Sequence, residues 1–167
     1  TYNQLINPER ILPEKIVEFT GITDAMLADK PKIDEVLPGF LDFCGDSLIV
    51  GQNTDFDVGF IRENAKRLGL KFDPIYLDTL PMARALFDDM GKFSLDKIAR
   101  KLDIPAFNHH RASDDARATA QIFIKMYKMI MEEEGLNLSK INRLKTSYPK
   151  AKHETFSALA YAKDKTG

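Results

Sequence analysis

The chain has 167 residues, 44% of them apolar and 29% charged, which suits one soluble globular domain with a real core. Lysine plus arginine (24) nearly balances aspartate plus glutamate (25), which excludes a nucleic-acid partner gripped over a broad basic surface and leaves local handling, at a chain end. The single cysteine, Cys44, excludes a disulfide framework and a cysteine zinc site and suits a reducing cytosol, and no run approaches the ~18 apolar residues of a membrane span.

Thr1-Tyr2-Asn3-Gln4 is neither a signal peptide nor an initiator start, so the chain reads as beginning mid-protein. Residues 2–6 alternate weakly and stop at Asn7-Pro8, the pattern of a strand's tail. Pro13-Glu14-Lys15 opens a short helical turn that stops near Thr20-Gly21, and Thr23 is the N-cap of another over 24–28. Lys30-Pro31 breaks the chain. Ile33, Val36, Leu37, Phe40, Leu41 and Cys44 then recur at helical spacing up to Gly45, which puts Cys44 in the core; Pro38 stands against a perfect helix. Ser47-Leu48-Ile49-Val50 lies between two glycines and reads as a buried strand of the parallel type. It leads into Gly51-Gln52-Asn53-Thr54-Asp55-Phe56-Asp57 and a helix with Phe60, Ile61, Ala65 and Leu68 inward, stopped by Gly69. Ile75-Tyr76-Leu77 is a second strand, followed by Asp78-Thr79 and a helix through Met82, Ala83, Leu86 and Phe87. Ser94 caps the next helix, with Leu95, Ile98, Ala99 and Leu102 on its core face and Asp103-Ile104-Pro105 ending it. A long helix over 116–131 turns Ala116, Ala120, Phe123, Met126, Tyr127, Ile130 and Met131 to one side, with Ser113 as N-cap. Strands alternating with helices predict an α/β layer fold. Past Glu132-Glu133-Glu134-Gly135 the character changes. Residues 137–144 allow a small helix, 145–152 form a basic, proline-interrupted linker with a solvated surface, and 156–162 look extended.

Two places carry chemistry. His110 falls just outside the long helix and Asp115 just inside it, five residues on, as a general base beside a metal ligand would. Asp57 falls in the first turn after the first strand, and ligand sites in α/β sheets gather at such junctions. A plainer reading stands beside each. Acids favour first helical turns because of the helix dipole, and a loop histidine is usually only solvated.

Three blocks then resemble the DEDDh class of 3′–5′ exonucleases, which have a ribonuclease H-like fold. Glu18-Phe19-Thr20-Gly21-Ile22-Thr23-Asp24-Ala25-Met26-Leu27 is similar to that family's "TGIT" element. Gly51-Gln52-Asn53-Thr54-Asp55-Phe56-Asp57 is similar to its second motif, H-N-x-x-F-D. His110-Arg111-Ala112-Ser113-Asp114-Asp115-Ala116 is similar to its third, H-x-A-x-x-D-A, and Leu77-Asp78-Thr79-Leu80 with Ala83-Arg84 supports the match. The doublet His109-His110 and the tail Ala158-Leu159-Ala160-Tyr161-Ala162-Lys163-Asp164-Lys165-Thr166-Gly167 further resemble the PolC-type replicative DNA polymerases III, whose exonuclease is inserted in a PHP domain. A PHP histidine expected near Ser157 is absent.

The resemblance implies a mixed sheet flanked by helices and an exonuclease domain over residues 1–134. A linker over 135–155 and the start of a PHP-like domain over 156–167 would follow. It implies two divalent cations, Mg²⁺ or Mn²⁺, about 3.5–4 Å apart. Asp115 would bind the first with two acids of a D-x-E motif, Asp57 would help hold the second through water, and His110 would take the proton from the attacking water. His109 lacks the motif spacing. Asn53 and Phe56 would position the helix rather than touch substrate, or contact it weakly. The implied substrate is a DNA 3′ end, single-stranded or frayed. The implied partner is the rest of a polymerase chain, in the cytoplasm. The D-x-E motif and the first strands do not occur in these 167 residues, so the chain alone is expected to fold poorly and lack appreciable activity, with the strand edge at 48–50 unpaired. Gln52 stands where the family usually has His and is expected to tune the site rather than abolish it. A free-standing nuclease on DNA or short RNA, and a catalytically dead contact module, are the competing readings.

Overall fold

Three helices lead the chain in the structure, a computed structural model that describes residues 1–107 and 111–132. They are α1 (Glu14–Thr20), α2 (Asp24–Leu27) and α3 (Ile33–Cys44). Gly21 ends α1 in the left-handed conformation, φ 66°, with its N–H on the Val17 carbonyl, a geometry that glycine adopts without strain. The Glu35 carboxylate accepts the Lys32 N–H at 2.8 Å and secures the start of α3. Pro38 sits inside α3 without ending it, on the exposed side where solvent can meet the carbonyl it leaves free. Cys44 is buried, as its helical spacing requires.

Next come β1 (Ile49–Gly51), α4 (Thr54–Arg67), β2 (Tyr76–Asp78), α5 (Thr79–Leu86), α6 (Leu95–Lys101) and α7 (Ala112–Glu132). The two strands pair in parallel, Ile49 with Tyr76, Val50 with Leu77 and Gly51 with Asp78. This is the parallel part of the expected sheet and the whole of it among the described residues. Residues 2–6 form no strand. Tyr2 instead packs on Phe40 and Phe43, and its hydroxyl donates to the Val36 carbonyl at 3.1 Å. The weak alternation of Tyr2-Asn3-Gln4-Leu5-Ile6 suits a strand and a segment that packs on a helix through its aromatic ring equally well.

The core lies where α5, α6 and α7 meet β2. Leu77, Met82, Ala83, Phe87, Ile98, Ala99, Leu102, Ile104, Ile122 and Met126 form one buried cluster, with Leu48 and Val50 of the β1 segment packed against it. α7 packs on β1, α5 and α6, and α4 packs on both strands. Two inward faces differ from expectation. In α7 the buried residues are Ala118, Thr119, Ile122 and Met126, while Ala116, Ala120 and Met131 are exposed and Phe123, Tyr127 and Ile130 flank the stripe. The helix also starts earlier. The Arg111 carbonyl accepts the N–H groups of Asp114 and Asp115, both at 2.9 Å, so Ser113 is a helical residue and not the cap. In α4, Val58 and Ala65 point inward, whereas Phe60 is 61% exposed and Leu68 is also exposed. Helices with apolar residues on more than one face leave the choice of face to their neighbours.

Ile122, fully buried against α5 and α6, gives a direct stability test. Ile122→Ala should lower unfolding free energy by ~2–5 kcal/mol in urea titrations. A change below ~0.5 kcal/mol would contradict this core assignment, since that is the range of surface substitutions. No helix among the described residues is long and apolar enough to cross a membrane. His109, His110 and everything expected of residues 133–167 lie outside the described residues.

Candidate active site

Gly51 and Asp78 face each other at the carboxyl ends of the two parallel strands, so α4 and α5 leave the sheet side by side. The turn into α4 is tight. A Cβ on Gly51 would lie 2.7 Å from the Thr54 Oγ1 and 3.0 Å from its Cγ2. Thr54 cannot yield easily, being buried with its hydroxyl donating to the Leu77 carbonyl at 3.2 Å. Gly51→Ala should therefore destabilise the fold by ~1–3 kcal/mol, the usual cost of overpacking, read as a lowered thermal midpoint; an unchanged midpoint would show the turn to be looser. After it, Asn53 takes the left-handed conformation (φ 60°, ψ 47°) as N-cap of α4. Its own side chain makes no capping bond; the Asp78 carboxylate accepts the N–H groups of Asn53 and Thr54 instead.

Gln52 is committed to this junction. Its Nε2 donates to the Phe93 carbonyl at 3.2 Å, and its Oε1 pairs with the Thr79 hydroxyl, which also lies 3.0 Å from the Gly51 carbonyl. Its amide thus ties the end of β1 to α5 and to the segment before α6.

The first turn of α4 carries two acids with different roles. Asp55 accepts the Tyr76 phenol at 2.6 Å and ties α4 to β2. Asp57 has no ion pair and no side-chain partner among the described residues. The residue is exposed overall, yet its carboxyl is partly enclosed by protein, and that enclosure pushes its pKa above the usual carboxylate range. The nearby Asp78 charge pushes the same way, and the Asp57 backbone N–H partly offsets both. Phe56, 73% exposed, does not anchor α4 in the core, and Asn53 is exposed beside it.

Asp115 stands in the first turn of α7, half-buried, with the Thr119 hydroxyl donating to its carbonyl at 2.8 Å. A cavity of about 280 Å³ is lined mostly by the N-terminal segment and α3, and is closed by Phe60, Ile61 and Asn64 of α4 and by Ala112, Ser113 and Ala116 of α7; neither Asp57 nor Asp115 lines it. Asp57 precedes Phe60 and Ile61 by three and four residues, on the same stripe of α4. Residues remote in sequence thus meet around one space. The Thr20-Gly21-Ile22-Thr23 turn joins them, since a Cβ on Gly21 would lie 3.6 Å from the Arg111 guanidinium at the start of α7. No three His, Cys, Asp or Glu side chains among the described residues form a ready-made metal cage. The donors at hand are carboxylates, which suit a hard divalent cation rather than a soft one.

The family model described as Exonuclease (RNase_T) matches residues 1–123, from the loop before α1 through most of α7. The chain belongs to this exonuclease family. Similar proteins include the PolC-type DNA polymerases III of Caldanaerobacter subterraneus subsp. tengcongensis, 41% identical over 142 residues (85% of this chain, 10% of the relative), and of Thermotoga maritima, 40% identical over 167 residues (99% and 12%). The chain spans about a tenth of the length of these curated relatives. Among solved structures it is similar to Exonuclease X in complex with 5′ overhanging duplex DNA, with a TM-score of 0.58 and 30% identity, covering 75% of this chain and 71% of that one. The architecture is the ribonuclease H-like exonuclease fold.

Asp78, which in the sequence only supports the family likeness, holds a structural position at this junction. The signal was present: an acid directly after an apolar strand and directly before a helix is where an N-cap stands.

Proposed function

We propose that this chain is the 3′–5′ exonuclease segment of a replicative DNA polymerase, removing nucleoside 5′-monophosphates from a DNA 3′ end in proofreading. The observation that carries the reading is Asp57, a carboxyl without an ion-pair partner among the described residues, in the first turn of α4 at a strand-to-helix junction of an exonuclease-family chain. Such a carboxyl is poised to take up a cation.

On this reading Asp57 and Asp115 hold two divalent cations, Mg²⁺ or Mn²⁺, which when bound supply Lewis-acid activation of the attacking water and of the leaving oxygen. His110 takes the proton of that water. Asn53 and Phe56, exposed at the mouth of α4, face the DNA end, Phe56 offering an aromatic surface on which a base can stack. The similar Exonuclease X was solved with a DNA duplex, which supports DNA as the substrate class. The exonuclease unit would end near residue 134, a linker over 135–155 would lead into a further domain from 156, and the assembly would work in the cytoplasm as part of a longer polymerase chain.

The test is digestion of a labelled single-stranded oligonucleotide by the polypeptide of the full reading frame, purified free of other nucleases. Mg²⁺- or Mn²⁺-dependent release of 5′-mononucleotides from the 3′ end is the expected result. Release from the 5′ end, or no metal dependence, would overturn the reading. A contact module without catalysis would bind the oligonucleotide and leave it intact.

A further inference from the structure

One carboxylate lies under both helices that leave the sheet. Asp78 Oδ1 accepts the N–H of Asn53 and the N–H of Leu80, both at 2.9 Å, and Oδ2 accepts the N–H of Thr54 at 3.2 Å. We propose that Asp78 is a positioning residue for the exonuclease reaction: by bridging the starts of α4 and α5 it fixes the left-handed turn at Asn53, and with it the bearing of the first turn that carries Asp57. The inference rests on the exonuclease reading above.

An ordinary N-cap satisfies N–H groups of its own helix. Asp78 does this for α5 through Leu80, and then does the same for a second helix 24 and 25 residues earlier in the chain. α4 depends on it, because the Asn53 side chain supplies no cap. A left-handed residue other than glycine persists only where its surroundings over-determine it. Here Asp78 holds the Asn53 and Thr54 N–H groups, and the Thr54 hydroxyl reaches the Leu77 carbonyl. α4 is therefore keyed to β2 rather than to its own loop. Asp57 follows Thr54 by three residues, within one helical turn, so a swing at Asn53 displaces Asp57 almost directly. Three of the roughly four acceptor positions of the Asp78 carboxylate face backbone N–H groups, so it acts through α4 and not as a cation ligand.

Asp78→Ala and Asp78→Asn, made in the polypeptide of the full reading frame, test this. The measurements are amide exchange at Asn53 and Thr54, Mn²⁺ binding without substrate, and kcat and KM on a single-stranded 3′ end. In Asp78→Ala the two amides should exchange faster and Mn²⁺ binding should weaken. kcat should fall by roughly 10²-fold, the scale of an ångström's misplacement, with KM little changed. Asp78→Asn keeps one acceptor oxygen and loses the Thr54 bond alone, so it should stay within about tenfold of wild type; if the alanine variant does not fold, this one carries the test. Folded variants with wild-type exchange at Asn53 and Thr54 and wild-type Mn²⁺ binding overturn the proposal. So does a loss of kcat that only tracks the folded fraction. A wild-type protein that neither binds Mn²⁺ nor cleaves DNA marks failure of the exonuclease reading instead, and amide exchange in the variants still decides whether the bridge holds α4.

Discussion

Asp57→Ala and Asp115→Ala should each reduce exonuclease turnover by about 10²–10⁴-fold if, as proposed, each supplies charge that holds a catalytic cation worth several kcal/mol of transition-state stabilisation. Added Mn²⁺ should rescue either only weakly. Asp57 also separates this account from the plainer one in a second measurement. Its folded pKa is raised, chiefly by enclosure, so the native state disfavours its charge. Between the unfolded carboxylate value and the raised folded value, the native state binds more proton than the unfolded state. Stability contributed at this site therefore falls as pH rises through that window, and the full penalty remains at neutral pH. Asp57→Asn should raise the thermal midpoint at pH 7 while destroying activity. If Asp57 were only an acid favouring the helix dipole, the same change should lower the midpoint, by the equivalent of ~0.3–1 kcal/mol. A lowered midpoint with normal turnover would assign Asp57 to the dipole.

His110→Ala should lower kcat by ~10²–10⁴-fold, the usual worth of general-base catalysis, with Mn²⁺ binding largely preserved. The deficit should shrink as pH rises, because hydroxide then becomes available without a base. The adjacent His109→Ala should be mild, since only His110 has the spacing to Asp115 that the third motif requires. Rate profiles against pH for both variants decide this. Equal damage from the two substitutions would mean that the motif register over 110–116 is wrong.

Much of the architecture was legible because its signals are local. Glycines at 21, 45 and 69 marked helix ends, and Gly21 and Gly69 are left-handed in the structure. The apolar runs at 48–50 and 75–77 gave both strands within a residue or two, and Ser94 marked the start of α6. Facing was less legible. The α7 stripe was read through Ala116 and Ala120, but long-range packing on α5, α6 and β1 selected Ala118 and Ile122, which periodicity alone ranks equally. Phe60 looked inward by its hydrophobicity and instead lines the cavity shared with α7. Asp57 and Asp115 were legible as acids in first helical turns, and the structure places both there. The bridging role of Asp78 was not, because two of its three bonds reach a helix that the sequence places far away.

Asp57 and Asp115 forming one metal site is the central claim, and crystals of the full-length polypeptide soaked in Mn²⁺ with a single-stranded oligonucleotide test it most directly by anomalous scattering. The account predicts manganese coordinated by the Asp115 carboxylate and within one bridging water of Asp57, at the mouth between α4 and α7. Asp57 and Asp115 on opposite sides of the sheet, with no manganese between them, would contradict it.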